Sequence, residues 1–345
     1  MMTSSAYSLT QEDWKTFFKL NNLSENLVSY WTDGLYKNRT IWEKHLSQNH
    51  IDFFRLHFSV DLPRISNILE SHDGTYKFQI MFHDGLEVES VLIPFHKRYT
   101  ICLSTQVGCA MNCSFCFTGT QGLKRNLEAG EIVAQYIIVK DWLLKRHPSS
   151  LLPSIVFMGQ GEPLHNFDQL KKAIEVLNDP QFIGVGHRQI TLSTVGYLPG
   201  MNSLKSLPKI NFALSLHSPF DEERQQLIPI NQRYPIDQVL KKFDEMSFLK
   251  RQFLTVEYLL IRNFNMTERH AEALAEKFIN KKIIFNLIPF NPFPGTRWER
   301  PSIDEIEEFK KLLVQKKLRV MVRTTKGQDI LAACGQLKIN QMART

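Results

Sequence analysis

From Thr100 onward the chain alternates short apolar runs with longer amphipathic stretches. The runs are SIVFMG, QITLSTVG, INFALSLH, FLTVEYLLI, IIFNLIPF and LRVMVRTT, apolar over most of their length, as strands buried on both faces of a parallel sheet are. Between them, AGEIVAQYIIVKDWLLK, FDQLKKAIEVLND, YPIDQVLKKFDEM, TERHAEALAEKFIN and SIDEIEEFKKLLVQKK repeat apolar residues at helical spacing, with Asp or Thr near several starts as caps. Strand and helix in regular alternation predict an α/β domain with a parallel sheet, either open or curled into a full or partial barrel. Ahead of it, residues 1–75 mix aromatic and polar positions at helical spacing, as in LSENLVSYWTDGLYKN and TIWEKHLSQNHIDFFRLHF, and predict a small helical domain. The alternating runs YKFQIMF and LEVESVLIP flank HDG, so Asp84 and Gly85 predict the turn of a β-hairpin opening the main domain, residues 76–345. VLIPFHKRYTICLS then reads as that domain's first strand. No internal repeat or low-complexity stretch suggests a further boundary.

With 345 residues, 43% of them hydrophobic, the chain can bury a large core without disulfide staples. Lys and Arg number 42 against 35 Asp and Glu, and the net charge of +7 favours a polyanionic partner without identifying one. No apolar run approaches the roughly 20 residues of a membrane-spanning helix. The opening MMTSSAYSLTQEDWKTFF lacks the basic and then apolar layout of a secretory signal, so a cytoplasmic protein is expected.

Five cysteines cannot all pair within one chain, and three crowd into CAMNCSFC. Cys109, Cys113 and Cys116 bring three thiols onto one short loop after a predicted strand, at the end where ligands gather in α/β domains. A structural zinc site needs a fourth ligand, generally from a second Cys or His pair, and none with such spacing follows. An iron–sulfur cubane held by three thiolates leaves one iron open to an exogenous ligand, which suits a reaction centre. Three buried structural thiols would explain the residue types but not their spacing.

CAMNCSFCF, with an aromatic residue before its last Cys, resembles the signature of the radical S-adenosylmethionine superfamily. QVGCAMNCSFCFTGTQGLKRNL, MGQGEPLHN, ITLSTVG, ALSLHSPFDEERQQLIPIN, NLIPFNPFPG and RTTKGQDILAACGQL resemble, in order over residues 86–338, the RlmN/Cfr family of RNA adenine methyltransferases. The resemblance implies a partial (β/α)6 TIM-like barrel with a helical accessory domain and a hairpin extension. It also implies a 4Fe–4S cluster on Cys109, Cys113 and Cys116, and S-adenosylmethionine contacted by Gly161, Glu162, Ser193, Ser215, Leu216, His217 and Asn291. The residue types suit the ligand, since a carboxylate matches its ammonium while Ser, His and Asn can hold ribose hydroxyls and its carboxylate. Read without the cysteine motif, Ser193 or Asn291 is ordinary turn or cap chemistry.

The remaining cysteines, Cys102 and Cys334, read alone as small buried hydrophobes. By resemblance, Cys334 is methylated to carry the transferred carbon, Glu89 in LEVESVLIP removes the ring proton, and Cys102 resolves a covalent RNA adduct, leaving a Cys102–Cys334 disulfide to be reduced. Read alone, Glu89 is an exposed strand carboxylate with Glu87 on the same face. The radical route answers a chemical need, because adenine C2 and C8 are electrophilic carbons that cannot attack a sulfonium methyl. The same resemblance implies ribosomal RNA and transfer RNA as substrates, an electron donor such as flavodoxin, and a monomeric enzyme. A base that must reach a buried site leaves its stack most cheaply from a loop or single strand. Lys124, Arg125, Arg224, Arg233, Arg323 and Lys326 are the candidate phosphate contacts.

Two features depart from the family pattern: Gln160 stands in MGQGEP where Met is expected, and the helical domain matches only around LVSYWTDGLYKN and TIWEKHL. NLIPFNPFPG and QVGCAMNC are closer to the RlmN side, so C2 methylation is expected, with Cfr-like C8 methylation or a radical enzyme acting on a peptide or small molecule as alternatives. A noncatalytic RNA-binding protein or an iron–sulfur redox sensor needs neither a methyl-carrying thiol nor GEP.

Overall fold

The computed structural model describes residues 4–37, 40–96, 98–246, 254–278 and 280–338. Its first part is helical: α1 (Gln11–Leu20), α2 (Glu25–Tyr36), α3 (Thr40–His45) and α4 (Gln48–His57). Trp14, Trp31 and Phe54 lie at their centre with no exposure, the Trp31 ring stacked 4.1 Å from Phe54.

Ten strands follow in one sheet: β1 (Arg64–Glu70), β2 (Tyr76–Met81), β3 (Glu87–Phe95), β4 (Arg98–Cys102), β5 (Ser154–Phe157), β6 (Ile190–Thr194), β7 (Asn211–Ser215), β8 (Leu254–Leu260), β9 (Ile283–Pro289) and β10 (Val320–Val322). Their spatial order is β10 to β1 without a single reversal. β1 to β4 pair antiparallel, and β4 to β10 pair parallel. The crossovers carry α5 (Ala129–Arg146), α6 (Phe167–Asn178), the short α7 (Leu198–Met201), α8 (Asp221–Leu227), α9 (Ile236–Asp244), α10 (Glu268–Phe278) and α11 (Ile303–Gln315). Parallel crossovers are right-handed, so an order that never reverses keeps every helix on one face and frees the other for a site. The sheet is a partial barrel, with β1 and β10 as its edges.

The helical faces are those that the apolar spacing predicts: α6 buries Leu170, Ala173, Ile174 and Leu177, and α9 buries Ile236, Val239, Leu240 and Phe243. α11 begins at a capping box between Ser302 and Glu305. The expected hairpin forms, with Tyr76 to Met81 facing Leu92 to Glu87 and Gly85 at φ +79° donating to the Phe82 carbonyl.

Two expectations change, and one unassigned segment gains a structure. The helical segment expected over 1–75 ends at His57, and β1 joins the sheet through a second Asp-Gly turn, Asp73–Gly74, where the Gly74 N–H donates to the Ser71 carbonyl. VLIPFHKRYTICLS is two antiparallel strands, because the chain reverses at His96 (φ +51°) and pairs Phe95 with Arg98. DEERQQL, unassigned from the sequence, is α8. The helical part shares one continuous core with the barrel: the Tyr36 ring stacks on Phe182 at 5.1 Å, and the Gly130 N–H donates to Ser8 Oγ at 2.9 Å.

Candidate cluster and cofactor site

The loop after β4 carries all three motif cysteines around one cavity. Asn112 turns at φ +51°, Cys116 donates its N–H to the Cys113 carbonyl and Cys109 its N–H to the Gly122 carbonyl. α8 supports the loop from below, since Ser114 N–H donates to the Leu227 carbonyl and Ser114 Oγ to the Gln226 carbonyl. Burial pushes the Cys109 thiol up to about 12 and raises Cys113 and Cys116 as well. Such thiols stay protonated until a metal displaces the proton. Among the described residues no three His, Cys, Asp or Glu side chains converge on a single ion. A cubane, whose irons sit at separate corners, asks only that each thiolate reach its own iron.

Opposite the loop, the barrel strands present their C-terminal ends. Ser193 of β6, Ser215 and His217 of and beyond β7, Glu257 and Leu259 of β8 and Ile288 of β9 line the same cavity, with Gly161 and Glu162 after β5 and Cys334 and Gly335 from the C-terminal segment. Gly161 sits at φ +103°, and a Cβ there would meet the Gln106 side chain at 2.7 Å, so the backbone runs against the wall where only glycine fits. Glu162 is held rigidly: Oε1 accepts from the Leu164 N–H at 3.0 Å and Thr194 Oγ1 at 2.7 Å, and Oε2 from the Val195 N–H at 3.0 Å. Burial still raises its carboxyl to about 6, so at neutral pH it presents a charge suited to an ammonium. His217, at φ +63°, accepts the Leu259 N–H on Nδ1 at 3.1 Å, and burial holds its pKa down to about 3. It is therefore neutral, with Nε2 as donor.

The donor set and the glycine-lined wall fit a cluster held by Cys109, Cys113 and Cys116 and an amino-acid-bearing cofactor beside Glu162. Four of the expected residues lie outside the cavity wall. The Leu216 side chain is in the core, and its N–H donates to the Glu257 carbonyl. Asn291 Nδ2 donates to the Cys334 carbonyl at 3.2 Å, and its Oδ1 accepts from Arg300, so it holds the Cys334 segment instead of facing the cavity. Cys102 and Glu89 lie on the other side of that segment, where Val91 and Cys102 pack under Ala332 and Leu337. Glu89, which the strand pattern alone would expose, is fully buried. The segment is tied down at both ends. Phe117 N–H donates to the Gly335 carbonyl, Thr118 Oγ1 to the Leu337 carbonyl and Gln336 Nε2 to the Pro292 carbonyl, each at 2.6 Å. At its start, Asp329 accepts from Ser71 Oγ and the His72 N–H.

Gln160 turns away from the cavity: Oε1 accepts the Glu89 N–H and Nε2 donates to Gln121 Oε1, each at 3.2 Å. Arg224, read as a phosphate contact, is fully buried and donates to the carbonyls of Val195, Ser215 and Leu216 and to Asn231 Oδ1. Its charge offsets that of a Cys113 thiolate. Arg125 is engaged by Asp84 and Glu131. Arg323 acts electrostatically on Cys334, Glu257 and Cys102. Lys124 and Arg233 remain exposed and Lys326 partly so. Sequence reasoning missed Glu257, whose charge inside the apolar run LTVEYLLI was the available signal.

The sequence pattern of the Radical SAM superfamily matches residues 103–275. A dual-specificity RNA methyltransferase RlmN of Bradyrhizobium diazoefficiens is 42% identical over 295 residues, 82% of this chain and 73% of that protein. The chain belongs to the RlmN family of radical S-adenosylmethionine methyltransferases. A probable RlmN of Dictyoglomus thermophilum, 40% identical, aligns over 82% of this chain and 80% of its own. The crystal structure of a radical SAM methyltransferase from Sphaerobacter thermophilus superposes with a TM-score of 0.89 at 32% identity, covering 97% of this chain and 99% of that one. Membership in the RlmN family brings a 4Fe–4S cluster and S-adenosylmethionine as cofactors. No helix among the described residues is long and apolar enough to cross a membrane.

Proposed function

We propose that this chain methylates C2 of an adenine in ribosomal RNA and in transfer RNA, with Cys334 as the carbon carrier. The observation behind this reading is the position of Cys334. It lines the cavity with the three loop cysteines, while Cys102 packs against Ala332 and Leu337, which flank Cys334 in the chain. A thiol on the cofactor cavity with a second thiol packed beside its segment is what a carrier cycle requires, and neither a structural cluster nor a redox sensor needs a methyl-carrying thiol.

When bound, the cluster exchanges one electron and S-adenosylmethionine supplies both a methyl group and a hydrogen-abstracting radical. The chain supplies the rest. Cys334 Sγ takes the methyl as the sulfonium C–S bond breaks, and the thiol proton leaves. Once that methyl has lost a hydrogen atom, its carbon bonds to the adenine ring, and the unpaired electron this leaves on the adduct would return to the cluster that supplied it. Glu89 removes the ring proton, whose bonding pair stays in the ring. The Cys102 thiolate then attacks Cys334 Sγ, an S–S bond forms, the S–C bond breaks, and the released carbon takes a proton to become the product methyl. A dithiol reductant supplies the two electrons that restore both cysteines.

The net charge of +7 suits a polyanionic substrate, and the exposed Lys124 and Arg233 remain available to phosphates. The reading carries with it a one-electron donor such as flavodoxin, a monomeric chain, and the cytoplasm, where thiols stay reduced. The test is nucleoside mass spectrometry of ribosomal and transfer RNA from cells lacking their own adenine C-methylases, with this protein or with Cys334→Ala. Cys334-dependent 2-methyladenosine is expected. An 8-methyladenosine signal would move the target carbon, and no methylated adenosine would overturn RNA as the substrate.

A further inference from the structure

Lys77 of β2 and Glu89 of β3 form an ion pair sealed from water. Nζ lies 3.1 Å from Oε1, with the two side chains 5% and 0% exposed. A buried pair gives up so much hydration that an apolar pair of similar volume is commonly as stable, so stability alone does not account for it. Neither Glu89 oxygen accepts a well-aligned hydrogen bond, although the Lys338 N–H and the Gln79 side chain approach the carboxylate and, after Lys77, favour its ionised form. Lys77 Nζ also donates to the Leu331 carbonyl at 3.2 Å, three residues before Cys334.

The register explains how one lysine reaches both. Lys77 faces Val91 and Gln79 faces Glu89, so Lys77 stands one diagonal step from Glu89 on the same face of the sheet. Val91 in turn faces Cys102. Lys77, Glu89, Val91 and Cys102 therefore share the surface that Ala332 and Leu337 cover. Burial pushes the Glu89 carboxyl up, toward the neutral form that cannot take a proton, and Lys77 is the first influence that opposes this.

We propose that Lys77 is the positioning residue of the proton-removal step: it keeps the Glu89 carboxylate ionised and, through the Leu331 carbonyl, in register with the segment that delivers the carbon on Cys334. The inference rests on the reading of Glu89 as the base. The step is a proton transfer alone, from ring carbon to carboxylate oxygen, with the C–H pair retained by the ring.

Reconstituted holoenzyme is assayed with unmodified ribosomal RNA, unlabelled or deuterated at adenine C2, comparing Lys77→Met, Lys77→Arg and Glu89→Gln. Three quantities are followed: methyladenosine formed, methyl on the Cys334 peptide, and protein–RNA adduct on denaturing gels. For Lys77→Met, turnover should fall at least about tenfold, short of the roughly hundredfold that outright loss of an acid–base group costs, while Cys334 methylation is unchanged. Adduct should accumulate, a deuterium isotope effect should emerge, and Lys77→Arg should recover most of the rate. Unchanged turnover, or a parallel fall in all three quantities with no isotope effect, would overturn the role of Lys77. Should Lys77→Met give no soluble protein, Lys77→Gln, which keeps a donor for Leu331, carries the same expectations. Adduct accumulation in Glu89→Gln but not in the Lys77 variants would sink this inference alone, whereas full turnover in Glu89→Gln would sink the reading of Glu89 beneath it.

Discussion

In the proposed cycle Cys102 acts as a thiolate, yet burial first, and then Cys334, push it up to about 12. Well below such a pKa the thiolate fraction rises tenfold per pH unit, so resolution of a preformed adduct should accelerate about tenfold per unit between pH 7 and 9, measured in single turnover. His217, held near 3, stays neutral across that range, and Glu162, near 6, is already mostly ionised, so neither blurs the slope. Arg323 is the cation that lowers both Cys102 and Cys334. Arg323→Met should therefore slow Cys334 methylation as well as adduct resolution, by about tenfold for each unit of thiol pKa restored, read from the mass of the Cys334 peptide over time. That pattern separates it from Lys77→Met, which spares methylation. The cluster cysteines were legible because chelation imposes spacing on sequence. Lys77 and Glu257 were legible only as charges out of place in their strands, since only the folded register shows which neighbour shares their face.

Among the elements, α8 was the least legible and bears directly on the cluster loop. DEERQQL has the charge density of a solvated surface, and Arg224 was accordingly assigned to phosphate. In the fold, Asp221, Glu222 and Glu223 form the first turn while Arg224 runs inward beneath the loop. Arg224→Met would leave four acceptors, two of them buried and two partly so, without their donor, a loss on the order of 3–5 kcal/mol. It should lower the urea midpoint and the iron bound per chain together. The crossover helices were readable because a 3.6-residue period survives any sheet curvature, whereas strand periodicity said nothing of whether the sheet closes. The pairing answers that, since β1 and β10 stand at opposite ends of the order and do not pair with each other. The turn at His96 escaped notice because no Gly or Pro occupies it.

For the whole molecule, the helical part and the barrel bury their apolar residues in common. A chain beginning at Arg64 would expose the face of α5 that Ser5 and Ser8 cover and leave Phe182 without Tyr36. Such a truncation should be poorly soluble, and limited proteolysis of the full chain should release no stable barrel fragment. The thiol of the C-terminal segment and the Cys102 thiol beneath it have a thermodynamic consequence at this scale. They are separated by nearly the entire barrel, so the bond that ends the proposed cycle would close a loop of about 230 residues and strip about 5 kcal/mol of entropy from the unfolded chain. The spent enzyme would thus be the most heat-resistant form of the protein, a well from which a cellular dithiol must lift it before each new turnover. A melting temperature that rises after one turnover and returns on addition of dithiol would record that well directly.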